Sequence, residues 1–231
     1  MARELPNGVY AIADGVRRVE AFVRGGAAVV QVRVKPQASG FRPQASGLGT
    51  GDFLAIAREA RKICTGAMLF INDRPDVARL CGADGVHLGQ EDLPLAEARA
   101  IVGPEMLIGI STHSDEEIDA AQAADYIGFG PIFSTQSKPG AVLPPPHGIE
   151  GLCRAVRRSR IPVVAIGGIT AANAAQVAAT GARCAAAIAE LCRSSDPEQA
   201  TRALAAAFKS GCRPEAHGLK PAALAEPKGA P

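Results

Sequence analysis

Short apolar runs rich in Val, Ile and Ala alternate with helical segments along most of the chain. The runs at 9–13, 29–34, 68–72, 85–88, 107–111, 126–130, 163–166 and 184–188 read as strands. Helical patterning between them places helix starts near Val16, Asp52, Pro75, Leu93, Asp115, Glu150, Ala172 and Pro197. Start signals mark several of these: Asp92 or Leu93-Pro94 for the fourth, Ser114-Asp115 for the fifth and Asp196-Pro197 for the last. Eight βα units in succession predict an α/β fold, a single (β/α)8 TIM barrel over residues 1–210, with a doubly wound sheet as the weaker alternative. The Pro-, Ala- and Lys-rich stretch 211–231 reads as a disordered tail.

Two connections exceed the usual few residues, 36–51 and 131–148, and both follow strands, on the face where barrel enzymes keep their active sites. The first holds a near-duplicate, PQASGFR followed by PQASG, whose composition cannot drive packing and predicts a flexible surface loop. The second carries Thr135, Ser137 and Lys138 ahead of a Pro-rich turn.

Composition sharpens this picture. Hydrophobic residues make up 47% of the 231 and aromatics only 4%, with no Trp, so small aliphatic side chains must fill the interior, as in a parallel sheet covered on both faces. A formal net charge of +2 gives no basis for nucleic-acid binding, so any anion recognition must be local. The six cysteines form no C-x-x-C pair and read as reduced packing residues. The start, MARELPNG, has no apolar h-region and no run approaches membrane-span length, which predicts a cytoplasmic protein without membrane contact.

Candidate chemistry clusters at strand ends. In the second strand Gln31, Arg33 and Lys35 share one face and Val30, Val32 and Val34 the other. In a barrel the valines face the helices, so the polar face points inward, where an uncompensated Arg and Lys are costly and call for anionic partners. Asn72-Asp73 ends the third strand and Asp92 follows the fourth. Adjacent strands lie about 5 Å apart, so the two carboxylates are placed to reach one cation such as Mg²⁺; an N-cap role for Asp92 and a turn role for Asn72 are the plain alternatives. Tandem glycines at Gly167 and Gly168 follow the seventh strand, in the region where barrels bind phosphate. His87 and His113 have no partner visible in the sequence.

Taken together, the strings QVRVK (31–35), INDRPDVA (71–78), GADGVHLGQEDLPLAEAR (82–99), GISTHS (109–114), ADYIGFGPIFSTQSKPG (124–140) and IPVVAIGGIT (161–170) resemble the thiamine phosphate synthase family over about residues 7–208. The resemblance implies a transferase that condenses hydroxymethylpyrimidine diphosphate with thiazole phosphate, releasing pyrophosphate. It implies Asp73 and Asp92 as Mg²⁺ ligands and Arg33, Lys35 and Lys138 as the catalytic cations on the departing diphosphate. It further implies Asn72, Thr135 and Ser137 near the substrate phosphates, Gln31 and Ser111 on the pyrimidine side, and Gly168, Ile188 and Ala189 at the thiazole phosphate. The partners it implies are small phosphorylated molecules; self-association into a homo-oligomer stays open.

The chain departs from the family pattern at Val34, where an acidic residue is usual, at Cys184 and Ala189, where Gly and Ser are common, at Ser137 in place of Thr, and in the enlarged 36–51 loop. Competing expectations are a thiazole tautomerase of the same family and a non-catalytic paralogue that binds a phosphorylated ligand. Lys138 together with both carboxylates favours the synthase.

Overall fold

The computed structural model describes residues 3–34, 49–135 and 145–212. Its eight strands are β1 (Gly8–Ala13), β2 (Val29–Val32), β3 (Met68–Asn72), β4 (Gly85–Leu88), β5 (Leu107–Thr112), β6 (Tyr126–Phe129), β7 (Val163–Ile166) and β8 (Cys184–Ala187). All pair in parallel with their sequence neighbours, and β8 pairs back to β1, closing the barrel. The helices are α1 (Val16–Arg24), α2 (Thr50–Ile63), α3 (Pro75–Cys81), α4 (Leu95–Val102), α5 (Asp115–Ala120), α6 (Gly148–Arg158), α7 (Ala174–Ala179), α8 (Ala189–Cys192) and α9 (Pro197–Gly211). The expected (β/α)8 barrel is therefore present.

Strand alternation sorts the interior into two apolar bodies. Val9, Ala11 and Ala13 of β1 and Val30 and Val32 of β2 face outward into a core shared with Phe22, Phe53, Leu204 and Phe208 of the helices. Tyr10, Ile12, Val29, Phe70 and Tyr126 face inward and join Leu5 to fill the barrel. Two aspartates pin the amino-terminal ends. Asp84 accepts from Arg61, Arg3 and the Leu69 N–H, and Asp125 accepts from Arg99 and the Ile108 N–H.

The local start signals act as read in two helices: Ser114 caps α5 by accepting from the Glu117 N–H, and Asp196 caps α9 by accepting from the Gln199 N–H. Other boundaries differ. β2 ends at Val32, with the Arg33 N–H still bonded to the Ala13 carbonyl, and β8 ends at Ala187 because the chain turns at once into the extra short helix α8. The residue before α4 is Pro94, so Asp92 is not its N-cap. α9 runs through Gly211, one residue into the stretch read as tail; 213–231 lie outside the described residues, as does most of the duplicated loop.

Candidate active site

The carboxyl ends of the strands surround one cavity of about 410 Å³, lined from every strand of the barrel. Its floor is polar on one side. Gln31, on the inward face of β2, is only 2% exposed, and its Nε2 is buried without a hydrogen-bond partner among the described residues. An unpaired buried donor is costly, so this amide can serve an acceptor placed in the cavity. Across the barrel, Ser111 Oγ on β5 lies 2.9 Å from His87 Nε2 on β4, and His87 Nδ1 lies 2.9 Å from the Tyr126 hydroxyl on β6.

Arg33, Asn72, Asp73 and Asp92 form the β2–β4 side of the mouth. Burial holds the Arg33 guanidinium below its ordinary pKa, and the Asp73 charge opposes that shift. Asp73 has φ 61, an uncommon backbone state for a residue with a side chain, held by its N–H bonded to the His87 carbonyl at 2.9 Å. Asp92 Oδ2 accepts from the Gly89 N–H at 2.6 Å, which fixes the loop after β4 with its carboxylate at the cavity. The Asp92 choice between helix cap and cavity residue thus resolves toward the cavity.

On the opposite side, Gly167, Gly168, Ile188 and Ala189 line the mouth after β7 and β8. Gly168 has φ +66, and a Cβ there would approach the Ser134 carbonyl oxygen to 2.6 Å, so both conformation and space require glycine. Asn173 locks this turn by accepting from the Thr170 N–H at 2.9 Å and donating to the Gly168 carbonyl at 3.0 Å.

Of the residues expected at the site, Gln31, Arg33, Asn72, Asp73, Asp92, Ser111, Thr135, Gly168, Ile188 and Ala189 converge on this cavity. Lys35, Ser137 and Lys138 lie outside the described residues. Tyr10, His87, His113, Tyr126, Thr170 and Arg193 also line it without having been singled out as site residues. A usable signal existed for one of them: Tyr126 pairs with Gly109 across β5 and β6, and a strand glycine marks a place where another group approaches closely.

Residues 9–191 match the family described as thiamine monophosphate synthase. The chain is 44% identical over 210 residues to a thiamine-phosphate synthase of Anaeromyxobacter dehalogenans, covering 88% of this chain and 89% of that one. It is 38% identical over 217 residues to the corresponding protein of Myxococcus xanthus, covering 90% and 94%. A solved thiamine phosphate pyrophosphorylase from Pyrococcus furiosus superposes with a TM-score of 0.75 at 34% identity, over 91% of this chain and 97% of that one.

Proposed function

The chain belongs to the thiamine monophosphate synthase family, and from that membership we propose how its cavity divides the work of the reaction. The protein is a transferase that joins hydroxymethylpyrimidine diphosphate to thiazole phosphate, forming thiamine phosphate and releasing pyrophosphate. The observation that carries the assignment of parts is the convergence of the β2–β5 polar residues and the β7–β8 turns on one cavity.

Gln31 and Ser111 hold the pyrimidine ring in the floor, where the unpaired Gln31 amide supports a ligand contact. Arg33 and Asn72 hold the diphosphate at the rim, with Lys35, Thr135, Ser137 and Lys138 assigned to the same group by sequence. The turns at Gly168 and Ile188, with Ala189 beside them, receive the thiazole phosphate, and their backbone N–H groups suit an anion.

The carbon–oxygen bond between the pyrimidine methylene and the diphosphate breaks, and the electron pair departs with the diphosphate. The thiazole nitrogen then supplies the pair for the new carbon–nitrogen bond. No protein nucleophile is needed; the residues position the two substrates and stabilise charge on the leaving group.

Asp73 and Asp92 are the proposed ligands of Mg²⁺. Two carboxylates beside an amide make a partial donor set, which fits an ion that takes one or two carboxylates and completes its shell with substrate phosphate and water. Among the described residues no group of three or more His, Cys, Asp or Glu is arranged to hold an ion without such help. When bound, the ion neutralises charge on the departing diphosphate.

Incubation with both substrates and Mg²⁺, followed by product identification, tests the proposal. Thiamine phosphate and pyrophosphate in equal amounts are the expected result. Binding of either substrate without turnover would instead support the non-catalytic reading. No helix among the described residues is long and apolar enough to cross a membrane.

A further inference from the structure

Four side chains link the barrel centre to the cavity. The Tyr10 and Tyr126 hydroxyls are 3.0 Å apart, Tyr126 OH is 2.9 Å from His87 Nδ1, and His87 Nε2 is 2.9 Å from Ser111 Oγ. The inner end borders the cavity but is almost fully covered: Tyr10 and Tyr126 are 2% and 0% exposed, in a cluster with Leu5, Ile12, Phe70 and Cys184. Tyr126 is the hydrogen-bond partner of the Tyr10 hydroxyl among the described residues.

The geometry points to a one-way hydrogen-bond chain: we propose that Tyr10, Tyr126 and His87 fix Ser111 as a donor toward the ligand, so that this position selects an unprotonated ring nitrogen. The inference rests on the pyrimidine-side reading of Ser111 given above.

The direction follows from counting protons. Each phenol has one, and a neutral imidazole has one to place. If Tyr10 donates to Tyr126, Tyr126 donates to His87 Nδ1 and His87 Nε2–H donates to Ser111 Oγ, each of the three contacts holds one proton. Reversing every bond leaves the Tyr10 O–H, in a side chain only 2% exposed, with no acceptor among the described residues, and an orphaned buried donor costs more than a hydrogen bond contributes. Burial pushes both phenols well above their ordinary pKa, so both keep their protons. The Cys184 thiol is likewise pushed up to about 12 and donates to the Pro6 carbonyl, so it supplies no anionic acceptor for Tyr10. Ser111 Oγ therefore accepts from His87 and has its own proton left for the cavity. Both ring nitrogens of an aminopyrimidine are acceptors.

The rings are held so that the chain persists. A Cβ at Gly109 would overlap the Tyr126 ring, one at Gly85 would overlap Phe70, and one at Gly128 would come within 3.0 Å of His87 Cε1. Phe70 packs edge-on against both Tyr10 and Tyr126, with centroids 5.8 and 5.7 Å away. Tyr10 and Tyr126 thus act as positioning residues, setting the proton on Ser111 through His87.

The His87 tautomer is read directly by long-range ¹H–¹⁵N correlation on the full-length ¹⁵N-labelled protein, with His87→Gln identifying its signals. The expected result is the Nε2–H tautomer; an Nδ1–H tautomer in the wild-type protein overturns the chain. Tyr126→Phe keeps the ring and removes the link, so the tautomer should become mixed. Its KM for the pyrimidine diphosphate should rise about fivefold to tenfold while KM for the thiazole phosphate is unchanged. A fall in kcat alone, or equal changes for both substrates, shows a merely structural role and overturns the proposal. In Tyr10→Phe the Tyr126 proton still has His87 as its acceptor among the described residues, so the Nε2–H tautomer should persist, and a switch to Nδ1–H contradicts the stated direction. Because the tautomer is measured without turnover, a failed activity assay and a failed chain are told apart.

Discussion

Gly109 on β5 faces Tyr126 on β6 across the strand pair, and the phenol ring occupies the volume that any side chain at Gly109 would need. The missing Cβ is what allows a large ring, buried beneath the cavity, to hold His87 from below. Gly109→Ala should therefore destabilise the protein by about 1–3 kcal/mol, the usual cost of overpacking a filled interior. Urea unfolding measures this, and unchanged stability would mean that the ring has room to move.

Asp73 offers a clean charge deletion. Asn tolerates φ 61 nearly as well as Asp, so Asp73→Asn removes charge without disturbing the turn. Its kcat/KM should fall at least about tenfold and recover in part at higher Mg²⁺. The wild-type protein should be inactive in excess chelator and regain activity when Mg²⁺ is restored. Full turnover in chelator removes Asp73 and Asp92 from the metal assignment.

Lys138→Ala should lower kcat by about 10² if the ammonium meets charge that develops as diphosphate leaves, since such contacts act chiefly in the transition state. The residue lies outside the described structure, so kinetics is the measurement that decides between this role and that of a solvated loop charge.

At Ala189 the side chain offers no hydroxyl to the phosphate proposed to sit at the turns after β7 and β8. Ala189→Ser adds one donor away from the breaking bond, which should stabilise ground and transition states alike. KM for the thiazole phosphate should drop several-fold, about what one hydrogen bond to a charged group allows, with kcat nearly flat. A large change in kcat would place the residue elsewhere in the mechanism.

His147 stacks on Phe129 with centroids 4.6 Å apart, and its Nε2 is buried without a partner among the described residues. Burial holds its pKa below the ordinary 6.5, helped by the charges of Arg154 and His113, while a backbone bond shared with His113 and the Asp115 charge act the other way. A folded value below the unfolded one means that the unfolded chain takes up the proton first. The contribution of His147 to stability is thus full above about pH 6.5 and is lost as pH falls through the folded value. His147→Gln should lose less stability than the wild type between neutral and mildly acidic pH, as read from urea midpoints.

The polar and apolar alternation in β2 was enough to send Gln31 and Arg33 inward and Val30 and Val32 toward the helices, because a strand has only two faces and a closed barrel buries both. Succession of βα units likewise determined the barrel, and Ser114 and Asp196 announced their helices through bonds made within four residues. Asp92 shows the limit of such local reading. Its sequence context suits a cap and a cation ligand equally, and only the path of the loop after β4, with Asp92 bonded to the Gly89 N–H, sets its carboxylate at the cavity. The same holds for His87. Its partners Tyr126 and Ser111 are 39 and 24 residues away, brought to 2.9 Å by strand register and by the glycines that leave room for the rings. Periodicity and capping are short-range properties that a sequence carries openly. Which buried group donates to which depends on closure of the barrel, because closure alone brings β1, β4, β5 and β6 around one interior and leaves the two phenols at most 2% exposed, where an unmet proton is costly.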